Sequence, residues 1–236
     1  MELERKAAAG KTETLDLVKG ENCVWHGEAA SACAGDDYRY AIDSTWNDCF
    51  DTEGAVLYRR DPYARYCPVS EGAFCRIDDP GAFKWAEPEH TNLLNDGLAS
   101  HSIYEMHVGT FSPEGTFRGA LERLEHVASL GFTCIELMPI TDFGGAWGYN
   151  PRSCLAVHTP YGTPDDLRAF VDKAHSLGMA VMVDICLNHG YVCVCVCVCT
   201  HTHFYTHTHT HTQIFAAQLS VELGRFWPRQ LRRHLL

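Results

Sequence analysis

Apolar and polar positions in the early part of the chain alternate with a period of two. Tyr38, Tyr40 and Ile42 fall on one side of such a run, and polar or small residues lie between them. A period of two places successive side chains on opposite faces of a strand. Short runs of this kind across residues 20–90, separated by turn-forming residues, predict a small β-sandwich followed by a linker.

From Ser102 onwards, strands and helices are predicted to alternate. Apolar runs at residues 103–108, 133–138 and 180–187 are separated by two segments with a helical period. Strands that are almost entirely apolar and alternate with helices are typical of a parallel sheet covered by those helices. The order β-α-β-α-β therefore predicts an α/β unit.

The first predicted helix carries one apolar stripe and ends at a glycine. The stripe comprises Phe117, Leu121, Leu124 and Ala128. Gly131 follows, and glycine readily adopts the left-handed conformation of a helix C-terminal cap. We therefore expect one helix that stops at this position.

The second predicted helix has signals at both ends. Thr163 suits the N-cap and Pro164 the first helical position, while Asp165 and Asp166 face the positive end of the helix dipole. Gly178 follows the last turn. The stripe expected to be buried comprises Leu167, Phe170, Val171, Ala174 and Leu177.

Composition and charge argue against several classes of function. With 46% hydrophobic and 21% charged residues, the 236-residue chain has the composition of a globular protein. Its formal charge of -11 argues against sequence-independent binding of nucleic acid or an anionic membrane, which requires clustered Lys and Arg. No apolar run approaches the roughly 18 residues that span a bilayer, and the start lacks a secretory signal. We expect a cytoplasmic protein with reduced cysteines.

The segment at residues 191–236 begins with a low-complexity repeat. A Val-Cys dipeptide repeats as far as Cys199, and a Thr-His dipeptide recurs as far as Thr212. The codons GTG TGT and ACA CAC encode these dipeptides and belong to one GT tract and its complement. We interpret the segment as a translated microsatellite followed by a disordered tail. Zinc binding is the alternative, but the repeats lack the usual Cys-x2-4-Cys and His-x3-5-His spacing.

Polar residues occur where a parallel sheet would place a site. Asp184 lies within the third apolar run, and Asn188 and His189 follow it. Parallel α/β barrels build their sites at the carboxyl ends of strands. The segment MVDICLNH at residues 182–189 resembles the first conserved region of the α-amylase superfamily, glycoside hydrolase family 13.

Four further motifs occur in the order and spacing of that superfamily. They are IYEMHVGTF at 103–111, ELMP at 136–139, WGYNP at 147–151 and YGTP at 161–164. The first resembles the opening barrel strand of glycogen branching enzymes and of malto-oligosyltrehalose trehalohydrolases. Upstream, DPYAR at 61–65 resembles the link from their carbohydrate-binding-like β-sandwich into the barrel.

The resemblance implies a sugar-binding role for four residues. His189 matches a histidine that hydrogen-bonds the sugar at the cleavage subsite, and Tyr149 matches an aromatic residue that stacks on that sugar. Asp184 matches a buried carboxylate that supports the site. Asn188 matches a position that helps hold calcium in amylases, but branching-type members usually lack that calcium, so no metal and no cofactor are expected. The implied partner is an α-glucan such as starch, glycogen or a malto-oligosaccharide.

The tryptophans are expected to have mainly structural roles. Trp25, Trp46 and Trp85 could line a sugar platform, but sandwich core is the expected role for most of them. Trp147 is expected to pack within its loop, because a large aromatic side chain gains from burial.

The resemblance also implies that the two catalytic carboxyl groups of the family lie outside the matched motifs. Retaining glycosidases need two carboxyl groups about 5 Å apart, and in this family they follow the fourth and fifth barrel strands. Beyond Asp184 the 236 residues contain one acidic residue, Glu222. We therefore expect no catalytic residue in this stretch and no activity of the polypeptide alone.

The predicted fold is α/β, with a small β-sandwich before the first three strands of a (β/α)8 barrel. Its parts are an N-terminal tail at 1–19, the sandwich and linker at 20–90, a truncated amylase-type barrel at 91–190 and the low-complexity segment at 191–236. Branching-enzyme chemistry is the leading expectation, and a trehalohydrolase is the main alternative. A non-catalytic glucan-binding protein is a third possibility.

Overall fold

A computed structural model describes residues 2–7, 10–20, 25–43, 56–68, 72–86, 93 and 97–186. The chain divides into two compact units, one ending at Asp79 and the other beginning at Pro80. Asn188, His189 and the dipeptide repeats lie outside the described residues.

All regular elements in the described part of the first unit are strands. They are β1 (Glu2–Lys6), β2 (Thr12–Asp16), β3 (Val18–Lys19), β4 (Trp25–His26), β5 (Asp37–Asp43), β6 (Val56–Arg59) and β7 (Cys75–Arg76). An antiparallel sheet has the order β2-β1-β5-β6, and β7 also pairs with β5. β3 and β4 form a separate antiparallel pair. The packing of these strands into a sandwich remains a prediction.

Residues 1–19 do not form the tail expected from the sequence, because β1 and β2 belong to the main sheet. The sequence of β1 is mostly charged, so it lacks the apolar alternation that would predict a strand. Arg5 is nonetheless buried, and its guanidinium donates to Asp36 Oδ2 at 2.6 Å and to the side chain of Glu13. Ion pairs of this kind allow a charged side chain such as Arg5 to be buried, although its residue type alone predicts exposure.

The polar side of β5 is also covered. Arg39 lies on the face that was expected to be polar, but its guanidinium carbon stands 3.4 Å from the centroid of the Tyr58 ring and 4.4 Å from that of Phe74. The same guanidinium donates to Glu4 at 2.8 Å. Cation–π contacts and an ion pair therefore cover the Arg39 side chain, which the alternation alone predicts to face solvent.

The second unit contains strands and helices in alternation. Its elements are β8 (Ile103–Met106), α1 (Val108–Phe111), α2 (Phe117–Leu121), α3 (Leu124–Ser129), β9 (Cys134–Leu137), α4 (Pro164–Ser176) and β10 (Ala180–Val183), with 3-10 turns at Leu98–Ser100 and Thr159–Tyr161. The strands form a parallel sheet in the order β10-β9-β8. The expected order β-α-β-α-β is therefore present, with strands shorter than the apolar runs.

The first expected helix is broken into α2 and α3. Arg123 has φ -108° and ψ 2°, outside the helical region. Its side chain donates to the carbonyl of Gly119 at 2.8 Å, which is the acceptor that its own N–H would use in a continuous helix. The N–H instead donates to the carbonyl of Ala120. Gly131 has φ +90°, as expected for the glycine that ends the helix.

α4 forms as the sequence predicts. The Thr163 side chain accepts from the N–H of Asp166 at 3.2 Å, and the Asp166 carboxylate accepts from the N–H of Thr163 at 2.9 Å, so the two complete a capping box. The predicted stripe packs against the core of the second unit. Within the described parts of the chain, no helix combines the length and apolar character needed to cross a membrane.

The two faces of the parallel sheet differ in character. The helix-covered face contributes Met106, Ile135, Leu137, Val181 and Val183 to the main core. The opposite face carries a smaller buried group, formed by Cys134, Ala180 and Met182. Side chains that alternate along each strand thus supply a large core on one side and a second, separate surface on the other.

Trp85 belongs to the second unit and not to a sandwich core, which corrects the role expected for it. Its ring packs against the main core of that unit, and the N–H of the following Ala86 donates to Asp172 Oδ2 at 3.1 Å. The stretch after Pro80 is therefore anchored to α4.

Replacing Thr163 by alanine should lower the free energy of unfolding by about 1 kcal/mol, because the capping box loses its hydroxyl acceptor. Urea denaturation followed by circular dichroism would measure the change. Thr163→Ser, which keeps the hydroxyl, is the matched control and should remain close to the unmodified chain. Equal losses in both variants would contradict a capping role.

Candidate functional site

The three parallel strands end at one edge of the sheet. β8 ends at Met106, β9 at Leu137 and β10 at Val183. Asp184 follows directly, and its N–H donates to the carbonyl of Leu137 at 2.9 Å, so the ladder continues one residue beyond the strand. The Asp184 side chain is therefore held by backbone pairing at the edge where parallel sheets place their sites.

Tyr149 and Asp184, both selected from the sequence, meet at this edge. The Tyr149 hydroxyl donates to Asp184 Oδ2 at 2.9 Å. Asp184 is only 8% exposed, whereas the tyrosine is 37% exposed. Asp184 Oδ1 is buried and has no hydrogen-bond partner among the described residues. Asn188 and His189 lie outside those residues, so their roles stay predictions.

The loop after β9 owes its shape to a glycine. Gly148 has φ +91°, and a Cβ atom there would lie 2.6 Å from Pro139 Cβ and 2.8 Å from the Pro139 carbonyl oxygen. Only glycine allows so close an approach at this backbone conformation. The N–H of Gly144 donates to the carbonyl of Asn150 at 2.9 Å and closes the loop. Tyr149 is thus placed by a backbone packed against the end of β9.

Trp147 is 55% exposed, so the expectation that it packs within the loop is wrong. Its ring centroid lies 4.9 Å from that of His107, which follows β8. The two ring nitrogens of His107 pair with Thr110 Oγ1 and with Tyr161 Oη, each at 2.9 Å. Burial lowers the pKa of His107. His107 was not among the residues predicted from the sequence, although its place at a strand end was a usable signal.

Two further carboxyl groups were also missed. Glu105 of β8 and Glu136 of β9 are partners in the parallel register, on the face opposite the main core. Partial burial raises the pKa of Glu136, and the negative charges of Glu105 and Asp184 raise it further. A glutamate inside an otherwise apolar run was the available signal, as it was for Asp184.

The electrostatics of this edge favour a protonated tyrosine. Burial raises the pKa of Tyr149 to about 12, and the hydrogen bond to Asp184 and the nearby negative charges act in the same direction. The phenol therefore stays protonated and donates to Asp184 near neutral pH.

No group of three or more metal-ligating side chains forms among the described ranges.

The arrangement suits a neutral, hydroxyl-rich ligand that has an apolar face. The half-exposed Tyr149 ring offers a surface for C–H groups. The carboxyl groups of Glu105 and Glu136, which are exposed and half-buried, offer acceptors for hydroxyl groups, and together with Asp184 they repel anions.

Comparisons with solved structures identify the type of fold. A candidate α-amylase from Salmonella typhimurium has a TM-score of 0.65 and 34% identity, over 80% of this chain and 30% of that chain. Pullulanase from Anoxybacillus sp. LM18-11, solved with maltotriose, has a TM-score of 0.66 at 21% identity over 80% of this chain and 31% of that chain, which shows the fold alone. The fold is of the amylase type.

Sequence comparisons identify the family. Residues 78–196 match the model of the alpha amylase catalytic domain. The chain belongs to the α-amylase family, as the sequence motifs implied.

Named relatives fall into two kinds. A malto-oligosyltrehalose trehalohydrolase from Deinococcus radiodurans is 43% identical over 55% of this chain and 21% of its own length. A 1,4-α-glucan branching enzyme from Aromatoleum aromaticum is 34% identical over 70% of this chain and 27% of its own length. The chain thus spans less than a third of either relative.

Replacing Tyr149 by phenylalanine should lower the free energy of unfolding by about 1 kcal/mol, because it removes a donor from a buried carboxylate. The pKa of Tyr149 is about 12 in the folded chain, above its ordinary value of 10.0, so folding favours the protonated phenol. The difference from the unmodified chain should be full below pH 10 and shrink as the pH rises through about 12.

Urea denaturation over a pH series would measure this difference. Tyr63→Phe is the matched control, because Tyr63 is an exposed tyrosine of the first unit. A difference that stays constant up to pH 12 would show that the Tyr149 proton is not linked to folding.

Replacing Glu136 by glutamine should raise the free energy of unfolding at pH 7. A carboxyl pKa raised in the folded chain means that the native state binds the proton more tightly than the unfolded state, so stability falls as the pH rises from 4.5 through the raised pKa. Glutamine has no charge to repel, and its advantage should vanish below pH 4.5.

Thermal unfolding at several pH values would test this expectation. Glu122→Gln, at an exposed helix end, is the matched control and should change little. If Glu136→Gln were destabilising at pH 7, charge repulsion would not be the main influence on Glu136.

Proposed function

We propose that the chain is part of an enzyme that cleaves or transfers α-1,4- or α-1,6-glucan linkages, and that its described residues form one wall of the glucan site. The hydrogen bond from Tyr149 to Asp184 carries this proposal. It joins a half-exposed aromatic ring to a buried carboxylate at the edge of a parallel sheet, in a chain of the α-amylase family.

A bound glucose unit would use this pair and two neighbouring carboxyl groups. Its apolar face would lie on the Tyr149 ring, which Asp184 holds through Oδ2. Its hydroxyl groups would donate to Glu105 and Glu136 on the same face of the sheet. His189 would add a hydrogen bond to the same sugar, and Asn188 would lie beside it at the end of the third run. These last two roles follow from the sequence motif.

The proposed architecture is the first part of an amylase-type barrel, in the unit that begins at Pro80, preceded along the chain by a small β-sandwich that ends at Asp79 and includes β1 and β2. Three parallel strands with helices over one face support the barrel, since the opposite face would line its interior. The antiparallel sheet and the β3-β4 pair support the sandwich.

We also propose that the 236-residue polypeptide alone does not catalyse the reaction. Retaining cleavage needs a nucleophile and an acid/base about 5 Å apart beside the bond. Asp184 is bound by Tyr149, and Glu105 and Glu136 lie within their strands, before the carboxyl edge. Glu222 is the one acidic residue that follows Asp184.

Of the two candidate activities, hydrolysis of malto-oligosyltrehalose has the stronger support. The trehalohydrolase is 43% identical and the branching enzyme 34%, although the two alignments cover different shares of the chain. The sequence motifs are common to both kinds of enzyme, so they do not favour branching. Branching therefore becomes the second candidate.

Binding and turnover of glucan by the purified chain would test the proposal. We expect retention on immobilised amylose that is lost in Tyr149→Ala and kept in Tyr149→Phe, since phenylalanine preserves the ring. Tyr63→Ala should bind like the unmodified chain. We expect no trehalose release from maltotriosyltrehalose and no change in the branching of amylose.

Two results would overturn the proposal. If the folded chain showed no retention on any α-glucan, the proposed site would be wrong. If turnover were seen and were abolished by Glu136→Gln, a catalytic carboxyl group would lie within these residues, and the claim of inactivity would fail.

A further inference from the structure

Two buried thiols face each other in the first unit. The Sγ atoms of Cys67 and Cys75 are 3.7 Å apart, and the residues are 4% and 0% exposed. The N–H of Arg76 donates to the carbonyl of Tyr66 at 2.8 Å. This bond pairs residues 66 and 76, so the two cysteines occupy the next opposite positions of an antiparallel bridge.

Opposite positions of this kind suit a disulfide. A disulfide joins Cβ atoms about 3.5–4.5 Å apart, and the 3.7 Å between the two Sγ atoms shows that these side chains already point at each other. The sulfurs need to approach from 3.7 Å to about 2.05 Å, a movement within reach of side-chain rotation and a small backbone shift.

The surroundings of the pair are compatible with the bridge. Cys75 Sγ accepts from the N–H of Asp61 at 3.3 Å, and a disulfide sulfur remains an acceptor. The Asp61 carboxylate in turn accepts from the Tyr38 hydroxyl at 2.7 Å and from the N–H of Tyr63 at 2.8 Å. The pair therefore supports the Asp61-Pro62 turn.

We propose that Cys67 and Cys75 are a disulfide site that is closed by exchange with a small-molecule disulfide such as oxidised glutathione. One protein thiolate attacks a glutathione sulfur, forms a mixed disulfide and releases one reduced glutathione. The second protein thiolate attacks the protein sulfur of that mixed disulfide and releases another. Two protein thiols are oxidised, one glutathione disulfide is reduced to two thiols, and the two thiol protons of the protein pass to the released thiolates.

Burial determines when this exchange occurs. The hydrogen bond between Cys75 and Cys67 and the loss of solvation raise the pKa of Cys75, so its reactive thiolate is scarce in the folded unit. Exchange therefore proceeds while the unit folds or opens locally, and the finished bridge is shielded from reductants. The sequence predicted only reduced cysteines, because composition does not show which thiols face each other.

Refolding the full chain in oxidised and reduced glutathione, followed by alkylation under denaturing conditions and peptide mapping, would test the site. We expect the peptides that carry Cys67 and Cys75 to be recovered joined to each other. The bridged chain should melt roughly 5 °C or more above the reduced chain, since a cross-link restricts the unfolded state.

Matched variants separate this pair from the other cysteines. Cys67→Ala and Cys75→Ala should each abolish the melting gain, and Cys134→Ala, which removes a buried cysteine of the second unit, should keep it. Mapping of the unmodified chain decides the question if a variant does not fold. Recovery of the two cysteines as separate alkylated peptides, or joined to other partners, would overturn the proposal.

Discussion

The site depends on the parallel pairing of β8, β9 and β10, because this pairing brings three strand ends to one edge. The ladder continues past the strands, where the N–H of Asp184 donates to Leu137 at 2.9 Å and that of Met138 donates to Met106 at 3.0 Å. A slip of one residue would turn the Asp184 carboxylate towards the helix-covered face. The apolar core under the helices fixes the register, and with it the position of the carboxylate.

Elements whose signals are local could be predicted from the sequence, and those that depend on distant partners could not. α4 was predicted in full, since its capping box and apolar stripe lie within a few residues of one another. The helix breaks before α3 because the Arg123 side chain, and not its backbone N–H, donates to the Gly119 carbonyl. This replacement does not alter the spacing of apolar residues, so the sequence pattern does not reveal it. β1 was missed because the burial of Arg5 depends on Asp36, which is 31 positions away.

In the candidate site, too, residues with a local sequence signal could be predicted, and contacts between distant positions could not. The motif identified Tyr149 and Asp184, but their hydrogen bond joins a loop to a strand end across 35 positions. Glu105 and Glu136 carried a usable signal, since charged residues inside apolar runs are costly and call for a reason. The exposure of Trp147 had no such signal, because its loop is shaped by the approach of Gly148 to Pro139.

The hydrogen bond between Tyr149 and Asp184 bears on the proposed glucan site, because it fixes one aromatic ring near three carboxyl groups. The hydroxyl of Tyr149 is already engaged by Asp184 Oδ2, so the orientation of its ring is set before any ligand arrives. A ring fixed in advance avoids part of the ordering cost of binding. The remaining acceptors attract hydroxyl donors and repel anions, so stacking and charge select the same kind of ligand. In the proposed glucan site, one buried carboxylate therefore orients the aromatic ring on which the sugar would stack.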